Sequence, residues 1–180
     1  MTPELLKPRA GADDASGAMG SWLSSRAAAQ RALQMALPCI EPLVADREVC
    51  GSGFLYIVVL DPARAPHECT FEDAVLIEHA IGDPSRWDAD YRAFARAKAR
   101  LSWRHGRDAH WVQTHRPHLL REGDTTLWGA VCLDGIVVGV SGAHPWYDEA
   151  FAHCVAGFLR AQAKVGAARA QEAHVLFAGR

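Results

Sequence analysis

Residues Leu127 to Cys154 read LWGAVCLDGIVVGVSGAHPWYDEAFAHC. Two short apolar runs, Leu127 to Leu133 and Ile136 to Val140, flank Asp134 and Gly135. An Asp-Gly pair supplies the positive φ angles of a two-residue hairpin, so the spacing predicts two antiparallel strands joined by a tight turn. Ser141, Gly142 and Ala143 then lead the chain off the sheet. Pro145 suits the first turn of a helix, where a missing N–H costs nothing. His144 falls at the cap, and Asp148 and Glu149 lie near the positive end of the helix dipole. Tyr147, Phe151, Val155, Phe158 and Leu159 follow at helical spacing. A hairpin followed by an amphipathic helix must bury the sheet against that helix, which predicts an α+β domain.

Upstream, Ser21 to about Leu37 is rich in helix formers, with Ser24 or Ser25 as cap; Pro38 is expected to disrupt or end the helix, and Pro42 to allow only a short continuation. Phe54 to Asp61 (FLYIVVLD) is a nearly continuous apolar, β-branched run and predicts a central strand covered on one face or both. After the proline-containing loop DPARAPHECTFED, Ala74 to Ile81 reads either as a return strand, with His79 near its end, or as a short helix. Trp87 to Arg104 predicts a long helix. Trp87, Tyr91, Phe94, Ala95 and Lys98 follow one face of it, and Arg92, Arg96 and Arg100 another. That arginine stripe is expected either to be solvated or to meet acids on a partner chain. His105 to Asp124 reads as irregular. Lys164 onward continues the last helix, and HVLFAG, His174 to Gly179, is expected to add an edge strand or dock on a neighbouring subunit. Together these give a mobile arm at 1–20 and a single domain at 21–180, built on an antiparallel sheet of about five strands flanked by helices.

The chain has 180 residues, a formal net charge of -2 and 22% charged residues. This is enough for one full core, and it offers no broad basic face for nucleic acid. Five cysteines form no C-x-x-C pair, as expected of reduced thiols in a cytoplasmic protein. No apolar run is long enough for a membrane span, and the start lacks the pattern of a signal peptide.

Chemistry-bearing residues are scattered. His105, His110, His115 and His118 lie in one segment, but their spacing matches no compact zinc pattern. They read either as loop histidines or as ligands. His79 and His144 are open to the same two readings. Ser141 lies between strand and helix yet lacks the G-x-S-x-G frame of a nucleophile elbow. Cys132 and Cys154 read as buried, inert thiols, and Asp148 and Glu149 as helix-start carboxylates or as acids. Gly51-Ser52-Gly53 precedes a strand, whereas a phosphate loop follows one. Lys98, Arg104 and Arg107 read as a solvated helix face or as partners for the carboxylates of a small acid.

The order of a strand, D-G, a strand ending V-S-G and then a helix with an acid six positions after the glycine resembles the C-terminal half of the GlcG/HbpS family of haem-binding or haem-degrading domains. Val140, Ser141, Gly142 and Asp148 carry the match. The helix RAFARAKARLSWRHG also resembles an uncharacterised branch of that family, with Lys98, Arg104 and Gly106 in register and His105 in place of an aromatic residue. The strand before V-S-G is shorter than is usual in the family, and Glu149 stands where the branch often has His. The resemblance spans roughly the second two thirds of the chain. It implies a profilin-like layout, a homo-oligomer and a small-molecule site for haem or another tetrapyrrole, with His79, His105 or His110 toward the iron and Lys98 toward the carboxylates. The alternatives are an oligomeric accessory protein with no haem role and, third, a haem-degrading enzyme.

Overall fold

The computed structural model describes residues 20–172. The expected arm up to Met19 and the expected strand at His174 to Gly179 lie outside the described residues. In chain order the elements are α1 (Arg26–Val44), β1 (Leu55–Leu60), the one-turn helix α2 (Phe71–Ala74), β2 (Val75–Ile81), α3 (Tyr91–His105), α4 (Ala109–His115), β3 (Ala130–Leu133), β4 (Ile136–Ser141) and α5 (Pro145–Glu172).

The Asp134-Gly135 turn forms as its sequence predicts, with φ of 52° and 88°, and pairs β3 with β4 from Leu133 opposite Ile136 outward. All pairings are antiparallel, and the strand order is β2-β1-β4-β3. The described residues therefore hold four strands rather than about five, in an α+β fold. β3 begins at Ala130, not Leu127. Gly129 takes φ 130°, and the carbonyls of Thr125 and Leu127 accept the Gln113 side-chain amide, each at 3.1 Å, instead of joining the ladder.

β1 is buried along its whole length, as its unbroken apolar run predicts. Leu55, Ile57 and Val59 meet α1 and α5 on one face, through Ala32, Ala36, Ile40, Val155 and Leu159 among others. Tyr56, Val58 and Leu60 meet α2 and α3 on the other, through Phe71, Tyr91, Ala95 and Ala99. Residues 75–81 are the strand reading realised; the capping box of Thr70 and Asp73 confines helix to the single turn before them.

The helices also differ from expectation. α1 runs through Pro38 and Pro42 to Val44. Each proline forfeits a backbone bond, but Ile40 and Val44 prolong the buried stripe of Ala29, Ala32 and Ala36, so packing holds the helix together. α3 starts at Tyr91 with Asp90 as its cap, while Trp87 stands edge-on to both Tyr56 and Tyr91, at 5.7 Å in each case. The segment expected to be irregular contains α4, because Gly106 ends α3 in the left-handed region and buried Ala109 and Val112 then pack with Leu101 and Ala130.

α3 lies very close to the sheet. A Cβ at Gly139 would stand 2.6 Å from the Ala95 carbonyl oxygen and 2.7 Å from the Ala99 Cβ. Backbone on both sides cannot yield as a side chain would. Gly139→Ala is expected to lower the unfolding free energy by about 1–3 kcal/mol, measured by urea denaturation; a loss within error would mean that α3 can lift without cost.

Candidate functional site

The buried face of α3 presents Tyr91, Ala95, Lys98, Ala99 and Ser102 at helical spacing. Lys98 is thereby pressed onto the end of β4. Its Nζ donates to the Val140 carbonyl (3.0 Å), the Ser141 hydroxyl (3.2 Å) and the Asp148 carboxylate (2.7 Å). All three ammonium donors are used. The second carboxylate oxygen of Asp148 accepts the Ala143 N–H at 2.9 Å. Lys98 is 3% exposed and Asp148 1%. Burial pushes Asp148 up to about 6, against the pull of Lys98, and the same burial pushes Lys98 down, against the pull of Asp148.

Lys98 therefore occupies neither setting its sequence suggests. It is not on a solvated face, and its donors are spent before any ligand carboxylate could reach them. Ser141, also buried, is held in the same network.

The three histidines expected near a haem iron are apart. His79 pairs across from Ile57, which places it on the α1 side of the sheet; burial lowers its pKa, and Glu41 of α1 opposes this. His105 ends α3 on the opposite side. There it accepts the Arg104 Nε–H at 3.2 Å, and its pKa is lowered by burial first and then by Arg104. His110 on α4 stacks on Trp128 at 4.1 Å. Among the described residues, no group of three or more His, Cys, Asp or Glu side chains is placed to hold a metal ion. The Cys132 and Cys154 thiols are pushed up by burial, in keeping with inert cysteines.

The arginine stripe of α3 finds its acids within the chain. Arg92 and Arg96 pair with Glu78 of β2 at 3.1 and 2.8 Å, and Arg96 and Arg100 with Glu72 of α2 at 2.9 and 3.3 Å. Where that stripe approaches the C-terminal end of α3, a cleft of about 540 Å³ opens, lined by Pro66, His67, Phe71, Glu72, Arg100, Trp103, Arg104 and Arg121. Phe71 and Trp103 meet edge to face at 5.8 Å, and the Arg100 guanidinium lies 4.6 Å from the Phe71 ring centroid. The Trp103 indole N–H donates to the Arg64 carbonyl at 2.6 Å and so ties the 64–67 loop to α3. Arg104 is paired with Asp124, which also accepts the Arg121 backbone N–H at 2.7 Å. The Arg121 side chain makes no ion pair among the described residues.

Of these residues, the sequence pointed only to Arg100, as part of the stripe, and Arg104. His67, Phe71, Trp103 and Arg121 come together through the folding of two loops onto α3, and no local spacing marks them. No helix of the described residues is long and apolar enough to cross a membrane. No family model matches the chain, and no curated protein matches it.

Lys98→Met would leave the Asp148 carboxylate buried without its cation, and is expected to cost about 3–5 kcal/mol by denaturant unfolding. Asp148 adds a pH dependence of definite sign. Between its ordinary 3.8 and about 6, the folded state holds a proton that the unfolded chain has released. The stability Asp148 contributes thus falls as pH rises through that window and is flat above it. The unfolding free energy of the wild type minus that of Asp148→Asn is expected to decline by about 2 kcal/mol from pH 4 to pH 6; a rise across the same interval would contradict this account.

Proposed function

We propose that the protein is a small-molecule-binding module whose ligand is a planar acid held in the Phe71–Trp103 cleft. Haem or a related tetrapyrrole is the case singled out by the resemblance to the GlcG/HbpS family. The carrying observation is an aromatic wall beside the Arg121 guanidinium, which has no acid partner among the described residues, and beside Arg100 and Arg104, which are held by Glu72 and Asp124, in one cleft of about 540 Å³, a size ordinary for small-molecule sites. The residues first expected to hold a tetrapyrrole do not form one site, because His79 lies across the sheet and Lys98 is spent on Asp148. In this reading haem would instead lie in the cleft, with Arg100 and Arg121 toward its carboxylates and His67 as the imidazole in the lining. The profilin-like layout is the finer reading of the fold that we favour, since α1 and α5 share one face of the sheet and α3 covers the other. Binding rather than catalysis is the better reading, because Ser141 and Asp148 are buried in the Lys98 network.

Self-association is a second reading with its own support. A groove between α1 and α5 is lined by Arg31, Met35, Ala161, Gln162, Val165, Gly166 and Arg169, and Met35 and Val165 are 42% and 50% exposed. Such a surface suits a second copy of the chain, joined through its helices.

Haemin titration of the full chain, followed by absorbance with serum albumin as control, tests the first reading. A saturable Soret shift is expected, with at least tenfold weaker binding in the Arg100→Ala/Arg121→Ala variant, a changed spectrum in His67→Ala, and no change in His79→Ala. Unsaturable uptake, or uptake indifferent to the cleft variants, would overturn it. Light scattering on the same samples is expected to give a mass above one subunit that falls to the monomer in Met35→Glu/Val165→Glu.

A further inference from the structure

Arg104 also borders a second cleft, of about 400 Å³, lined by Arg104, His105, Gly106, Arg107, Trp111, Val112, Arg116 and Leu119. It lies where α3 ends, α4 begins its turns and the chain leaves α4 through Arg116. Its polar side chains are three guanidinium groups and one imidazole, and no carboxylate is among its lining residues.

Arg107 and Arg116 make no ion pair among the described residues. Both instead rest on the Trp111 ring, with their guanidinium carbons 5.6 and 5.4 Å from its centroid. His115 also stacks on Trp111, at 5.2 Å. An aromatic face holds a guanidinium in place without consuming its N–H donors. Two forks are therefore positioned and still free to donate. Arg104 is the partly neutralised third, since Asp124 is paired with it. Asp108, the next carboxylate, lines an adjoining cleft that shares Arg107 and Trp111, and its Oδ1 accepts the Cys132 N–H at 2.7 Å. The carbonyl end of α3 contributes about half a negative charge, and the Gly106 and Arg107 N–H groups cap part of it at the Ser102 carbonyl. The cleft stays positive.

We infer that this second cleft is an anion site for a phosphate group, gripped between Arg107 and Arg116 on the Trp111 platform with His105 beside it. Guanidinium forks match phosphate oxygens in geometry and charge. Free phosphate and a phosphate monoester present the same oxygens to these donors. This site shares Arg104 with the Phe71–Trp103 cleft, but Arg107, Arg116 and Trp111, which carry it, do not line that cleft.

The test is a ¹H–¹⁵N titration of the full chain at fixed ionic strength, reading the Trp111 indole N–H, which is assigned by its loss in Trp111→Phe. Inorganic phosphate is expected to give a saturable shift. Arg107→Gln and Arg116→Gln should each weaken it at least fivefold, and the double variant should abolish saturation while its thermal unfolding stays that of the wild type. Arg100→Gln, in the first cleft, should leave it unchanged. Phenyl phosphate binding at least fivefold more tightly than inorganic phosphate would assign a monoester, and equal affinity would assign the free ion. A shift reproduced by chloride, or a saturable shift that survives in the folded double variant, would overturn the inference.

Discussion

Lys98 and Asp148 are both withdrawn from water, and burying such ions costs several kcal/mol each unless they pair with good geometry. This requirement ties three distant parts of the chain together. Lys98 comes from the middle of α3, its hydroxyl and carbonyl acceptors from the end of β4, and its counter-ion from the first turn of α5. The glycines around the pair belong to the same constraint. A Cβ at Gly129 would stand 2.5 Å from the Asp148 Cβ, and one at Gly142 only 2.0 Å from the Phe54 carbonyl oxygen; both residues also sit at positive φ, 130° and 138°. The elbow between β4 and α5 thus has one backbone path, and the ion pair closes over it.

From that anchor the layering follows. With Lys98 drawn down to β4, the positions beside it on α3, one before it by a turn and one directly after it, must also meet the sheet, and only small residues fit there. Ala95 and Ala99 meet Gly139. A helix seated so closely turns its remaining positions outward, which is why Arg92, Arg96 and Arg100 form a row. The acids that meet this row come from the same side of the sheet: Glu78 sits opposite Val58 of β1, whose side chain belongs to the α3-facing core. The row is a lattice between α2, β2 and α3 rather than an interface awaiting a partner.

Much of this frame was legible in the residues. The Asp-Gly turn, the Val-Ser-Gly elbow, the doubly covered β1 and the start of α5 at Pro145 are local signals, each set by backbone chemistry within a few residues. What was not legible depended on distance along the chain. Pro38 carries a local message to stop, overruled by Ile40 and Val44 against the core. α4 is seven residues long and too short to show a period, and Gly106 and Pro117 bracket it with loop signals. Lys98 and Asp148 were each visible, one as a basic helix residue and the other as a helix-start acid. Their union, 50 positions apart, was not. The candidate site suffered most. Of its residues, those on α3 share a helical rhythm, whereas His67 and Arg121 arrive from loops that no pattern links.

α3 thus does two jobs along its length. Up to Ser102 its inward residues fix the fold; around Arg100 and beyond, its outward residues meet loops and build clefts. Trp103 stands at the changeover. It packs against Phe71, which is itself in the core, and its indole holds the Arg64 carbonyl. The cleft wall is therefore anchored to the core beneath it, although the arginines around it are half-buried or exposed. Preformed walls with charges at the rim lower the ordering cost that a ligand must overcome. They also separate the two roles chemically: guanidinium groups at Arg100, Arg107, Arg116 and Arg121 can change without touching the Lys98 network, whereas a change at Trp103 would loosen the loop, the cleft and the Phe71 contact together.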